Sequence, residues 1–249
     1  MPKTASFPLA LAAALSLALS GCGDDKKSGT QSPSASSTPI TTSTPTVQPT
    51  TGTGPVKRTA AELTKALLEL KDLPTGFTLE PDDPATRGVK PFSSKDAKCR
   101  TLVKYLNADE APGAKASAHR SFAGGQEGPY IDFSLDAMGD SKTVLALQAS
   151  YKAAVNACKK LTLKIAGQGM SPMGVREISA PQYGDQPFAF RLTGLSGPLE
   201  GREFAAATAG VNDVIVSVSV LAGQPGDLNG ATEVAVGKAT DVLKSKTGS

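Results

Sequence analysis

The chain has 249 residues, a formal net charge of +3, three cysteines, one histidine and no tryptophan. So small a positive excess makes no case for a nucleic-acid partner, and one histidine with widely spaced cysteines makes none for a metal site. The lack of tryptophan and the few other aromatics argue against a stacking platform for sugars.

The first segment reads as an export signal. Lys3 supplies a positive start, and residues 7–19 form an apolar run shorter than the roughly 20 helical residues that span a bilayer. The run ends in Leu19-Ser20-Gly21-Cys22, small residues before a cysteine, which is the pattern of a lipobox. Residues 1–21 are therefore expected to be removed and Cys22 to carry a diacylglycerol. The membrane is then the first partner, and the outer face of the cytoplasmic membrane the location. Residues 22–57 follow as a disordered linker: from 28 to 55 they are almost wholly Ser, Thr, Pro, Gly and Gln. Such a segment buries too little apolar surface to offset its ordering entropy. Residues 58–249 are enough for one well-buried core and are expected to form a single domain.

That domain opens on a helix. Thr59-Ala60-Ala61-Glu62 fits a capping box, and Leu63, Ala66, Leu67 and Leu70 follow at helical spacing. Leu73-Pro74-Thr75-Gly76 ends it and turns into a short strand near residues 77–79. A proline-rich loop leads to a second helix, expected over 94–106, with Cys99, Leu102, Val103 and Leu106 on one side. Residues 116–123 and 130–137 read as a hairpin. In its second strand Ile131, Phe133 and Leu135 alternate with Asp132, Ser134 and Asp136, so one face should be wet. The longest helix is expected over 141–159, with Val144, Leu147, Tyr151, Val155 and Cys158 along one stripe. Strands are expected at 161–165, 175–179, 188–193, 202–208 and 214–221, and a last helix at 231–244. The order strand, Gly-Asp, helix occurs twice, after residue 130 and after residue 214. These pieces make an α+β fold: a mainly antiparallel sheet of roughly six to eight strands with helices packed on one face.

With Cys22 consumed by lipid, Cys99 and Cys158 remain as an even pair in an exported chain and are read as one disulfide joining two helices. No cofactor is expected: neither a phosphate-cradling glycine loop nor a dinucleotide fingerprint occurs. A serine nucleophile would have only His119 as its base, and no Gly-x-Ser-x-Gly elbow is present. Asp132 and Asp136 lie roughly 13 Å apart along one strand, beyond the spacing of a glycosidase pair. The candidate site is the polar sheet face, where Asp132, Ser134, Arg191, Thr193, Ser217 and Ser219 are expected to meet. Arg191 would there hold an anionic ligand.

The order of features resembles a set of actinobacterial surface lipoproteins and the extracellular sensor domain of the PknH-type kinases. The features are the leading Leu-Leu helix, Leu73-Pro74-x-Gly76-Phe77, the helix with Cys99, the strand Tyr130-Ile131-Asp132-Phe133, the long helix ending at Cys158, and a valine strand before a final helix. The resemblance spans residues 59–246 and implies an α+β sheet with a cleft, held by disulfides, that binds an unidentified ligand. The second disulfide of the kinase-type domain has no counterpart in a chain with three cysteines. The function expected first is a non-enzymatic binding or sensor domain for a small-molecule or cell-envelope ligand. A lipid or glycolipid carrier with an apolar cavity is the alternative, and a hydrolase acting without histidine a more remote one.

Overall fold

The structure is a computed structural model and describes residues 56–81 and 88–243. The export signal, Cys22 and the linker up to residue 55 lie outside the described residues. Among the described residues four α-helices, α1 (Ala60–Ala66), α2 (Arg100–Leu106), α3 (Ser141–Ala157) and α4 (Asp227–Val242), accompany nine strands. The strands are β1 (Thr78–Glu80), β2 (Phe92–Ser93), β3 (Ala116–Ala123), β4 (Tyr130–Ala137), β5 (Lys160–Ile165), β6 (Gly169–Ile178), β7 (Asp185–Gly194), β8 (Glu203–Val211) and β9 (Val214–Leu221).

All nine join one sheet in the order β1-β3-β4-β9-β8-β7-β6-β5-β2, and every pairing is antiparallel. β5 to β9 form a meander that returns β9 beside β4. The two edge strands are only three and two residues long, which leaves little ladder open to another chain. The expected capping box is in place: the Thr59 side chain accepts from the Glu62 N–H, and Glu62 accepts from the Thr59 N–H at 2.8 Å. Asp140 caps α3 with its side chain alone, accepting from the Thr143 N–H at 2.7 Å. The second expected helix is shorter at its start, because the Asp96 carboxylate caps a 3-10 turn over Ala97–Cys99 before α2 begins.

The antiparallel α+β class holds. The helices, however, do not share one face. The Val214, Val216, Val218 and Val220 side of β9 pairs with Ala209, Ala207 and Ala205 of β8 and packs beneath α1 and α4. The Phe188, Phe190 and Leu192 side of β7 pairs with Thr208, Ala206 and Phe204 and packs beneath α2 and α3. These two sides are opposite faces of the sheet, because odd and even residues of β8 point opposite ways. Each helix pair covers half of one face, so half of each face is left bare.

Val56, the first described residue, donates its N–H to the Gly139 carbonyl at 2.7 Å. Arg58 then reaches a buried ion pair: its Nη2 lies 2.7 Å from Asp213 Oδ1, and both side chains are almost fully covered. A second contact from Nη2 to the Leu243 carbonyl ties this segment to the end of α4.

The disulfide is present, with Cys99 and Cys158 Cα atoms 4.5 Å apart. It joins the turn before α2 to the C-cap of α3, both fully buried against Leu161, Met173 and Leu192.

Candidate functional site

The register of the central strands builds the site. On the face that α2 and α3 only half cover, Thr208 of β8 lies opposite Ser217 of β9, Ser217 opposite Ser134 of β4, and Ser134 opposite His119 of β3. These four positions form one straight row across four strands. The next row toward β1's end reads Ala206, Ser219, Asp132 and Ser121, and the row on the other side brings Asp136 opposite Ser117. Neighbouring strands stand roughly 4.8 Å apart and successive rows roughly 6.7 Å, so this is a dense polar grid.

The grid is the floor of an open cleft of about 770 Å³. One wall is aromatic: Tyr105 from α2, Tyr151 from α3, and Phe190 and Phe204 from the adjoining strands. The Tyr105 and Tyr151 rings meet at 4.4 Å, and the Tyr105 hydroxyl is fixed by Ser150 Oγ at 2.6 Å. The facing rim comes from the loop after α2, including Asp109 and Glu110. No lysine or arginine is among the described residues that line the cleft.

Asp136 is the most enclosed polar group of the cleft, 3% exposed. Its Oδ1 accepts from Ser117 Oγ at 2.5 Å and from the Ala111 N–H at 3.2 Å, and its Oδ2 accepts from Ser134 Oγ at 3.4 Å. Burial nevertheless dominates over these donors and raises its carboxyl above the ordinary aspartate value. Burial also pushes the Tyr151 hydroxyl well up, helped by the negative charge of Asp136, so that phenol stays neutral. Asp132 by contrast is exposed and accepts from Ser219 Oγ at 3.2 Å. Thr208 is 7% exposed, and its hydroxyl has no hydrogen-bond partner among the described residues.

Of the residues expected to share a polar face, Asp132, Ser134, Ser217 and Ser219 do come together. Arg191 and Thr193 do not. Arg191 pairs with Ala205 across β7 and β8, which places it on the opposite face, with the valines of β9 but beyond the cover of α4. There its Nη1 lies 3.1 Å from Glu203 Oε2 and it faces Arg176 of β6. The expected anion-holding role therefore has no place in this cleft. The physical reason is register: the aromatic side of β7 continues into the serine side of β9, not into its valine side. Asp136, read as a solvated surface group, is instead buried beneath the loop after α2. Ser117, Thr208 and the tyrosine pair were not singled out. Only the alternation of β3 pointed to Ser117, and nothing local marks Thr208 among the alanines of β8.

An antiparallel sheet with helices on alternate halves of its two faces, leaving one open polar cleft, defines the class of this domain. The fold is similar to the crystal structure of the extracellular domain of PknH from Mycobacterium tuberculosis, at a TM-score of 0.53 and 16% identity, covering 77% of this chain and 98% of that one. No family model matches the sequence, and no curated protein matches it.

Proposed function

We propose that the chain is an exported lipoprotein of the actinobacterial type, held by diacylglycerol on Cys22 at the outer face of the cytoplasmic membrane. Its folded part is a non-enzymatic binding or sensor domain, and the open cleft is its ligand site. One observation carries this reading. The sheet face between β3 and β8 is neither covered by a helix nor plainly solvated, but is shaped into a walled cleft with a polar floor and an aromatic side. A domain of extracellular origin with the same fold supports the location.

A lipid carrier is less well supported, because the floor is hydroxyl and carboxylate rather than aliphatic. A hydrolase is also disfavoured: Ser117 and Ser134 both donate to Asp136, which occupies their hydrogens without making either a nucleophile.

The test is native mass spectrometry of the full chain purified from its own host. A small molecule should co-purify, and Ser217→Trp, which fills the middle of the grid, should abolish it. Retention of the same species by Ser217→Trp would place the ligand elsewhere and overturn the assignment of the cleft.

A further inference from the structure

We propose that the ligand of this cleft is an organic cation, with an ammonium group on the carboxylate floor and an apolar or aromatic body against the tyrosine wall. This rests on the reading of the cleft as the binding site and specifies its chemistry.

Three independent features converge. The first is charge: Asp109, Glu110, Asp132 and Asp136 all line the cleft, and no lysine or arginine among the described residues offsets them. An anion entering it would be repelled from several sides, while a cation gains from the same field in a partly desolvated site. The second is the Thr208 hydroxyl. It is buried on the cleft floor with no partner, in the row that continues through Ser217 and Ser134. A buried hydroxyl left unsatisfied is costly, and an ammonium N–H supplies the donor its oxygen lacks. The third is the wall. Tyr105, Tyr151 and Phe204 present ring surface next to the carboxylates, which suits both cation–π contact and burial of a ligand's apolar body.

A bare metal ion fits less well. Among the described residues no group of three His, Cys, Asp or Glu side chains converges to hold one. The two floor carboxylates stand two rows apart, roughly 13 Å along β4, so they act as separate poles rather than as one ligand set. The ammonium sits on the Thr208–Ser217 row, and Asp132, exposed on the next row and two strands from Thr208, attracts it across that gap. Asp136, occupied by Ser117 and the Ala111 N–H, contributes field from below.

A charge series on one body tests this, by calorimetry on the full chain. The probes are 2-phenylethylammonium, 2-phenylethanol and 3-phenylpropanoate. The ammonium should bind about tenfold tighter than the alcohol, the carboxylate should bind weakest, and rising salt should erode the preference. Asp132→Asn, at an exposed position that leaves the fold intact, should reduce the ammonium's advantage to about threefold or less. Thr208→Val should weaken the ammonium, and Arg191→Ala, on the other face, should change nothing. Alcohol binding equal to or tighter than ammonium would overturn the cation while leaving the cleft as a site. Binding of none of the three would also overturn it, and the co-purification test with Ser217→Trp then decides separately whether the cleft is a site at all.

Discussion

Asp136 makes the stability of the fold depend on pH. Burial raises its folded-state pKa above the ordinary value, so the native state holds this proton more tightly than the unfolded chain does. The stability it adds is fully present below the ordinary aspartate range and is lost as pH rises through the folded value. The wild type should therefore gain on Asp136→Asn as pH falls from 7 to about 4. Denaturant titrations of both proteins at the two pH values measure that difference, and a gap that does not change with pH would mean the carboxyl is better hydrated than its position implies. Arg58 and Asp213 pose the opposite case, a charge pair almost wholly inside. Arg58→Ala leaves a buried carboxylate alone and should cost about 3–5 kcal/mol. Replacing both partners with apolar residues should restore much of the loss, read as recovery of the urea midpoint.

At the scale of elements, α3 is tied to the turn before α2 by a bridge whose ends are 59 residues apart in sequence. By the chain-entropy account, closing such a loop stabilises by about 4 kcal/mol. Cys99→Ser combined with Cys158→Ser should lower stability by that order, measured in denaturant under non-reducing conditions. The aromatic wall of the cleft should loosen with it, because Tyr151 sits on α3 and Tyr105 on α2. The repeated order strand, Gly-Asp, helix is real in topology: α3 follows the hairpin β3–β4 as α4 follows β8–β9. The two helices nevertheless settle on opposite faces. Asp140 caps α3 with its side chain, whereas at α4 Gly226 takes the cap position at φ 101°, a left-handed conformation that favours glycine. Had α4 followed α3 onto the same face, it would have covered the grid and left no cleft.

For the whole molecule the two halves of the sheet are used differently. One half of each face is core and the other half meets solvent, and the bare half between β3 and β8 is the one with walls. Among the described residues no helix is long and apolar enough to cross a membrane, and the proposed attachment rests on Cys22. Cys22→Ala should move the protein from the membrane to the soluble fraction, since two acyl chains on one residue suffice for stable anchoring. Persistence in the membrane after a carbonate wash would sink the lipobox reading. The described residues should keep their fold, because their packing rests on contacts from Val56 and Arg58 onward.

Local pattern determined most elements of this protein. The hairpin β3–β4 and the strand β9 fall where alternation put them, the first helix where its capping box put it, and the Cys99–Cys158 bridge between the two cysteines that the lipobox reading leaves as a pair. β2 was missed because two residues in a proline-rich loop carry no period, and the start of β6 because Gly169 and Pro172 interrupt any strand alternation there. Only the tertiary structure decided which faces meet. Alternation gives each strand two sides but not the parity with which neighbouring strands join them, and a one-residue change of register exchanges the faces. That parity separates Arg191 from Asp132, Ser134 and Ser217, lines Thr208 up with Ser217, and turns an expected anion site into an acidic cleft. The same holds for Asp136: its place on β4 was evident, but its burial depends on a loop more than 20 residues earlier in the chain, a contact that sequence spacing cannot express.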